Sequence, residues 1–377
     1  EWAEDFALFT AVKRSFGNNM WTKWPDRAIV MREPEAVEKY RSELDVEVRY
    51  HIFCQYIFFK QWFALKKYCN GLGISLFGDM PIYCAEDSAD TWTHPEVFQL
   101  DKNRISTRVA GVPPDCFSED GQLWGNPLYN WAKMKKQNFA WWVRRMAAAG
   151  KLYDVIRLDH FRGFEAYWSV PYGSATAKGG KWIKGPDMDF VNALKTQLPE
   201  VKFIAEDLGT LTQEVLDLRD NSGYPGMKVL GFAFDGCKEN EYLPHNYPTN
   251  SVCYTGTHDN MTTLQWFHTA SYEALDYIVE YLGLEDVADK MTQKELVWSV
   301  IKTAMASVSD LCIVQMQDYL TLGEESRMNF PGTMTTNNWT WRAREGFASE
   351  ELSERILALT ERFGRAPVKT EKAEADK

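Results

Sequence analysis

Three segments of the sequence each end an apolar run in acidic side chains, which can serve as nucleophiles or proton donors. In the first, residues 155–160 (VIRLDH), successive side chains alternate in direction if the segment is a strand. Arg157 and Asp159 then face the same side, where the guanidinium would keep the carboxylate ionised and oriented. An ionised carboxylate at a strand end suits a nucleophile, although a structural Arg–Asp pair explains this motif about equally well.

The second segment, residues 203–209 (FIAEDLG), carries two adjacent carboxylates. Glu206 and Asp207 should point to opposite faces, so at most one of them serves a site and the other points away or bonds backbone. A glutamate that ends an apolar strand is partly desolvated, which raises its pKa toward the range of a general acid. The alternative is that the pair caps the N-terminus of a helix.

The third segment, residues 251–260 (SVCYTGTHDN), leads through a glycine turn into His258 and Asp259. The histidine raises the possibility of a metal site. The chain has six histidines without the His-x-x-x-His spacing of a helical zinc site, and its seven cysteines include no Cys-x-x-Cys pair. Metal catalysis is therefore disfavoured, and no metal is predicted.

A fourth region, residues 109–129, is rich in glycine and proline and contains Phe117 and Trp124. We predict a loop that acts as a lid, with aromatic faces that stack on sugar rings and with Asp115 and Gln122 as polar contacts. A structured loop that merely packs on the protein is the alternative.

The elements that must position these residues alternate along the chain. Residues 1–72 have helical periodicity, and afterwards short apolar runs alternate with helical segments, which predicts an α/β protein with parallel strands. The strand candidates are residues 74–83, 155–159, 203–207, 229–235, 251–259 and 311–318. No G-x-G-x-x-G or phosphate-binding loop is present, and acidic residues end nearly every strand, which favours a (β/α)₈-type barrel over a nucleotide-binding sheet.

Six candidates are two fewer than such a barrel needs, so we expect its first two strands to be missing from this chain. The predicted division is a helical segment at 1–72 inserted in or packed on the barrel, a catalytic barrel at 73–342, and a C-terminal helix with a disordered tail at 343–377. In this barrel the three acidic motifs would meet at one rim. Two carboxylates, a nucleophile and an acid/base, are the minimum for retaining glycosyl transfer, and a third can stabilise the transition state by its charge.

The composition further limits the classes of partner that this protein can bind. Acidic residues outnumber basic ones by 53 to 42, and the formal net charge of -11 disfavours nucleic acid and anionic membrane surfaces. The sequence contains no run of 18 or more apolar residues and starts without a basic and apolar leader. The seven cysteines are dispersed, as reduced core cysteines usually are, and this predicts a cytoplasmic protein.

The sequence closely resembles the amylomaltases, which are 4-α-glucanotransferases of the α-amylase-related clan. The resemblance extends in family order to Arg342 and is carried jointly by GDMPIY at 78–83, VAGVPPD at 109–115, GQLWGNP at 121–127, IRLDHFRG at 156–163, AEDLG at 205–209, YLPHNY at 242–247, GTHDN at 256–260 and MNFPGT at 328–333. Together these motifs are highly specific. Any one alone would be weak.

The resemblance implies a double displacement on α-1,4-glucans and maltooligosaccharides, with glucose as an acceptor and without a cofactor. By motif position, Asp159 matches the nucleophile, Glu206 the acid/base and Asp259 the transition-state stabiliser. Further matching positions fall where the family contacts sugar, and these are Arg157, His258, Asp79, Asp115, Gln122, Trp124, Asp235 and Asn329.

One departure concerns Met261, which stands where the family usually has aspartate and would alter activity or subsite preference. The resemblance also implies roughly a hundred or more residues upstream, including glucan contacts that this chain lacks. Two alternatives follow for the function. One is an α-glucan hydrolase with the same three carboxylates, and the other is a non-catalytic glucan-binding remnant.

Overall fold

A computed structural model of the chain describes residues 2–114, 118–209 and 211–366. Three residues of the predicted lid, 115–117, which include Asp115 and Phe117, lie outside this part. Residues 367–377, within the predicted C-terminal helix and disordered tail at 343–377, also lie outside it. The chain divides into two compact units, Glu1–Tyr224 and Pro225–Lys377. Among the described residues, no helix is both long and apolar enough to cross a membrane.

Helices dominate the start of the first unit, as the periodicity predicts. Leu8, Trp21 and Ile29 are among the buried side chains of a small core that these helices share. The longest of them, α4, reaches the turn before a later strand, where Trp62 Nε1 donates to the Leu152 carbonyl at 3.0 Å. The helices here are α1 Trp2–Ser15, α2 Arg27–Val30, α3 Pro34–Glu43 and α4 Asp45–Gly71.

The rest of the first unit alternates strands and helices. Its helices are α5 Ala89–Thr93, α6 Trp131–Lys136, α7 Ala140–Leu152, α8 Arg162–Glu165, α9 Asp187–Gln197 and α10 Gln213–Ser222. Its strands are β1 Phe77–Met80, β2 Arg108–Val112, β3 Gln122–Pro127, β4 Val155–Leu158, β5 Ala166–Pro171, β6 Lys181–Lys184 and β7 Lys202–Ala205. α9 has Asp187 and Asp189 in its first turn and Lys195 in its last, which complements the helix dipole.

A parallel three-stranded sheet of order β1-β4-β7 forms the centre of this unit. Its register pairs Asp79 with Arg157 and Leu158 with Ala205. The next residues along β4 and β7 are Asp159 and Glu206, so the pairing sets both carboxylates at the same edge of the sheet. Three of the six strand candidates, those that carry the first unit's acidic residues, are thus confirmed.

The segment 109–129 is not the single long loop that its glycines and prolines suggest. It contains most of β2 and all of β3, which belong to an antiparallel sheet of order β3-β2-β5-β6. Gly111 allows β2 and β3 to approach each other closely, because a Cβ at this position would lie 2.4 Å from the Gln122 carbonyl oxygen. Gly121 turns the chain with φ +66°. Composition alone does not separate a hairpin of this kind from a loop.

The second unit contains a second parallel sheet, of order β10-β9-β8. Its strands are β8 Gly226–Val229, β9 Ser251–Tyr254 and β10 Leu311–Ile313. All residues of β8 and β9 are buried, as is usual for parallel strands covered on both faces. Its helices are α11 Thr263–Thr269, α12 Tyr272–Leu282, α13 Gln293–Met305, α14 Met316–Tyr319 and α15 Glu350–Arg362.

One prediction for this unit needs correction. β8 begins at Gly226, earlier than the candidate 229–235. The apolar pattern misses this start because the strand contains Lys228, which is buried and forms an ion pair with Glu241. Between residues 271 and 308 the chain forms two α-helices, α12 and α13. α12 ends at Gly283, which is left-handed at φ +64°, and α13 begins with a capping box between Thr292 and Glu295.

Aromatic packing in the first unit supplies a test of the fold. Phe190 of α9 is fully buried and stacks on Phe164 with ring centroids 4.5 Å apart. Replacing Phe190 with alanine leaves a cavity and should lower the free energy of unfolding by about 3–5 kcal/mol, measured by urea denaturation and circular dichroism. Phe53→Ala is the matched control on an exposed face of α4 and should cost less than about 1 kcal/mol. Equal losses in the two variants would contradict this packing.

Candidate active site

Arg157 organises the carboxylates at the ends of β1 and β4. Its Nη1 donates to Asp79 Oδ1 at 2.6 Å and to Asp159 Oδ1 at 3.1 Å. Burial lowers the pKa of Arg157, but Asp79, Glu206 and Asp159 together raise it above its ordinary value. The guanidinium is therefore a fixed positive charge, and it orients Asp159 as the sequence predicts.

Glu206 lies at the end of β7, where two backbone groups bind its carboxyl oxygens. The His160 amide donates to Oε2 at 2.7 Å, and the Leu208 amide donates to Oε1 at 2.9 Å. Burial is the largest influence and raises its pKa. Arg157 and the two amides oppose this, Asp159 adds to it, and the resulting pKa is about 7. A carboxyl group with this pKa can hold a proton near neutral pH and release it during a reaction.

Asp207 points away from this group, in agreement with the expectation that only one of the two adjacent carboxylates faces a site. It is buried and accepts from Arg219 Nη1 of α10 at 2.8 Å. Neither carboxylate caps a helix, because α10 begins only at Gln213. Asp207 therefore anchors α10 to the end of β7, and Glu206 is the carboxyl group of the pair that lies with Arg157 and Asp159.

The β2–β3 hairpin brings Trp124 next to His160, the residue that follows Asp159. Its ring meets the His160 ring edge-on, with centroids 4.9 Å apart, and its Nε1 donates to Gln122 Oε1 at 3.2 Å. Trp124 is 38% exposed, so part of an aromatic surface beside His160 is open to a ligand. Two predicted sugar contacts, Gln122 and Trp124, thus lie near the first group of carboxylates. Asp115 lies outside the described residues.

A second hydrogen-bonded group lies within the second unit. Asp259 accepts from Asn329 Nδ2 at 2.6 Å, and its Oδ2 lies 3.4 Å from His258 Nε2. Arg327 Nη2 donates to the Asp259 carbonyl at 2.7 Å. Three predicted site residues, His258, Asp259 and Asn329, are therefore brought together here.

Two other positions of this unit have different surroundings. Asp235 is exposed in a turn, where it accepts from the Cys237 amide at 2.9 Å. Met261 is partly exposed, and its sulfur accepts from Thr269 Oγ1 at 3.4 Å.

Sequence reasoning missed three residues of these groups. Arg327 holds the Asp259 backbone, and the Trp339 ring lies 5.0 Å from that of His258. His160 binds Glu206 through its main-chain amide, and a main-chain contact of this kind cannot be predicted from a pattern of side chains. Arg327 directly precedes the MNFPGT motif at 328–333, and Trp339 lies in a stretch of aromatic and polar residues. Of the three residues, only these two could have been found from the sequence.

The first group supplies the parts needed for acid-assisted displacement. One carboxylate is oriented by a guanidinium, and its neighbour holds a proton near neutral pH. Within the described ranges, no cluster of three His, Cys, Asp or Glu side chains is arranged to bind a metal ion. An α/β fold with this pair of carboxyl groups at parallel strand ends is typical of an enzyme that acts on a glycosidic bond.

Comparison with known proteins agrees with this class. The sequence pattern described as 4-alpha-glucanotransferase matches residues 1–348. A 4-alpha-glucanotransferase of Clostridium butyricum is 48% identical over 97% of this chain and 74% of its own length. Its counterpart in Thermus thermophilus is 46% identical over 96% of this chain and 72% of its own. The chain belongs to the 4-alpha-glucanotransferase family, whose members are glycosyl-transferring enzymes.

Solved structures give the same result. An amylomaltase from Streptococcus agalactiae in complex with acarbose has a TM-score of 0.92 and 40% identity, over 97% of this chain and 73% of its own. An amylomaltase from Corynebacterium glutamicum shares the fold, with a TM-score of 0.74 at 19% identity over 96% of this chain and 54% of its own. The α/β fold of the chain is that of the amylomaltases.

The raised pKa of Glu206 predicts a pH-dependent stability. Between its ordinary pKa of 4.5 and about 7, the folded protein retains a proton that the unfolded chain releases. Folding stability should therefore fall as the pH rises through this window. Glu206→Gln does not titrate, so it should gain about 1–3 kcal/mol relative to the parent between pH 4.5 and pH 8 in urea denaturation.

Glu200→Gln is the control, since Glu200 is exposed just before β7. It should show the same pH dependence as the parent. A stability difference between Glu206→Gln and the parent that does not change with pH would contradict a raised pKa at Glu206.

Proposed function

We propose that the chain transfers α-1,4-glucan segments between maltooligosaccharides by a retaining double displacement at Asp159 and Glu206. The observation that carries the proposal is the buried Glu206, whose pKa is raised by burial to about 7, beside an aspartate oriented by Arg157. Retaining enzymes need this division between one ionised and one protonated carboxyl group. Family membership and the acarbose complex of the Streptococcus agalactiae amylomaltase support the substrate class.

In the first step, an Asp159 carboxylate oxygen attacks the anomeric carbon of the donor glucan. The bond from this carbon to the glycosidic oxygen breaks, and Glu206 gives its proton to that oxygen. The reducing-end fragment leaves, and the remaining glucan is esterified to Asp159.

In the second step, the 4-hydroxyl of an acceptor sugar, such as glucose, replaces the fragment that left. Glu206, now a carboxylate, takes the hydroxyl proton while the oxygen attacks the anomeric carbon and the bond to Asp159 breaks. Transfer instead of hydrolysis requires that water be kept out. We assign this task to the hairpin at 109–129, whose Trp124 would stack on a sugar ring.

The proposal gives the remaining groups supporting roles. The carboxylate of Asp259, fixed by Asn329 and His258, would stabilise positive charge at the sugar in the transition state. The polar side chains of Asp79, Asp115, Gln122 and Asp235 would contact glucan. We further infer that the parallel strands belong to a (β/α)₈-type barrel, because several of them carry or lead into acidic residues, among them Asp79, Asp159 and Glu206, as strands of that fold do.

The hydrolase alternative differs only in the acceptor, so products distinguish the two. Incubation with maltotriose should give glucose together with oligomers longer than maltotriose. Maltose and glucose without longer oligomers would instead indicate hydrolysis. Binding without turnover, unchanged by Asp159→Asn, would favour the non-catalytic alternative.

Removing either carboxyl group should abolish transfer. Asp159→Asn lacks the nucleophile and Glu206→Gln lacks the proton donor, so each should lower kcat on maltotriose at least about 10³-fold. Circular dichroism should show a retained fold. The matched controls Asp310→Asn and Glu200→Gln change exposed carboxylates and should keep activity within about twofold. Near-normal transfer in either site variant would overturn the assignment.

A donor with a good leaving group separates the two roles. Fluoride departs without a proton and so does not need the proton donor. Glu206→Gln should therefore release fluoride from α-maltotriosyl fluoride at least about 10²-fold faster than it cleaves maltotriose. Asp159→Asn should gain no comparable activity, because it still lacks the nucleophile. Equal rescue of both variants would contradict the division of roles.

A further inference from the structure

His160, directly after Asp159, has a backbone conformation that is rare outside glycine. Its φ is +52°, in the left-handed region that costs a side-chain-bearing residue free energy. The following residue, Phe161, is right-handed helical at φ -57° and ψ -32°. Consecutive residues of opposite hand turn their N–H groups to the same side, which makes a small anion-binding concavity.

Both of these N–H groups bind Glu206. The His160 amide donates to the carboxyl Oε2 at 2.7 Å, and the Phe161 amide donates to the Glu206 carbonyl at 3.0 Å. In return, the Glu206 amide donates to the Leu158 carbonyl at 3.1 Å. The chain around the nucleophile therefore surrounds the acid/base residue with main-chain hydrogen bonds.

The imidazole of His160 is closely packed beside this turn. The Trp124 ring lies against one edge of it, and Gly163 leaves space for it, because a Cβ there would lie 2.9 Å from His160 Cδ2. The Gly163 amide also donates to the His160 carbonyl at 2.9 Å. Burial and the nearby Arg162 lower the pKa of His160 to about 4, so the ring is neutral where transfer would occur and adds no charge beside Glu206.

We propose that His160 is a positioning residue: its left-handed backbone aims an amide at the Glu206 carboxyl group, which fixes that group's orientation and favours its ionised form. The inference rests on the proposed function, and its mechanism is main-chain geometry rather than imidazole chemistry. A strain of this kind persists only where surrounding contacts enforce it.

Other groups that act on Glu206 would stay in place when His160 is changed. Arg157 on β4 lowers the pKa of Glu206, and Asp159 at the end of β4 raises it. The Leu208 amide, just after β7, also lowers it. Asp79 of β1 reaches the group through Arg157. Asp207 is directed to Arg219. The His160 amide is thus a separable contribution.

The test compares His160→Asn with His160→Val in the full chain. Both variants lose the imidazole and its contact with Trp124, but asparagine tolerates the left-handed region and the β-branched valine does not. The Glu206 pKa is measured by ¹³C NMR titration of glutamate carboxyl carbons, with Glu206→Gln to assign the signal. We expect a value near the parent's in His160→Asn and a rise of about one pH unit in His160→Val.

Transfer from maltotriose should follow the same order. The alkaline limb of its pH profile should move upward by about one pH unit in His160→Val relative to His160→Asn, and kcat should be at least about tenfold lower. A merely structural role would lower stability without moving this limb. If valine prevents folding, His160→Ala tests the same point, because alanine also disfavours the left-handed region.

An identical Glu206 pKa in the asparagine and valine variants would overturn the proposal. An equal rise in both would also overturn it, since that would assign the effect to the imidazole. Absence of transfer by the parent protein would count against the proposed function alone, because the NMR comparison does not depend on turnover.

Discussion

The chemistry of the first unit depends on the balance of forces on one buried carboxyl group. Burial favours the neutral form of Glu206, whereas Arg157 and two backbone amides favour its ionised form, and the outcome is a pKa of about 7. Removal of either influence would leave a carboxyl group that is permanently ionised or permanently neutral near pH 7. Acid/base work requires a group between these extremes.

The parallel register of β1, β4 and β7 makes this balance possible. It sets Asp79, Arg157, Asp159 and Glu206 at neighbouring positions, so one guanidinium acts on three carboxyl groups. Because Arg157 is fixed by Asp79 and Asp159, its charge is held in a defined place beside Glu206 and reduces the pKa-raising effect of burial. Asp207 contributes from the opposite face, where its ion pair with Arg219 ties α10 to the end of β7.

Much of this arrangement follows from the sequence. The alternation of residues in VIRLDH predicts that Arg157 and Asp159 share a face, and FIAEDLG predicts that Glu206 and Asp207 diverge. The resemblance to amylomaltases extends these local expectations to the family and the reaction. Patterns of this kind are visible because strand periodicity depends on residue spacing alone.

Other features depend on contacts between distant segments. The hairpin at 109–129 depends on Gly111 admitting the Gln122 carbonyl, and the buried start of β8 depends on the pairing of Lys228 with Glu241. The left-handed turn at His160 is joined by main-chain hydrogen bonds to Glu206, which lies on a different strand. Such features have no periodic signal, so they became evident only in three dimensions.

The central claim is that Asp159 forms the covalent bond to the sugar while Glu206 moves the proton. Its most direct test uses Glu206→Gln and a maltotriosyl fluoride whose terminal 4-hydroxyl is removed, so that the donor cannot serve as an acceptor. Peptide mass spectrometry of the quenched protein should find the maltotriosyl group on the peptide that contains Asp159, and on that side chain after fragmentation. A sugar attached to any other residue, or fluoride release without a labelled peptide, would contradict the account.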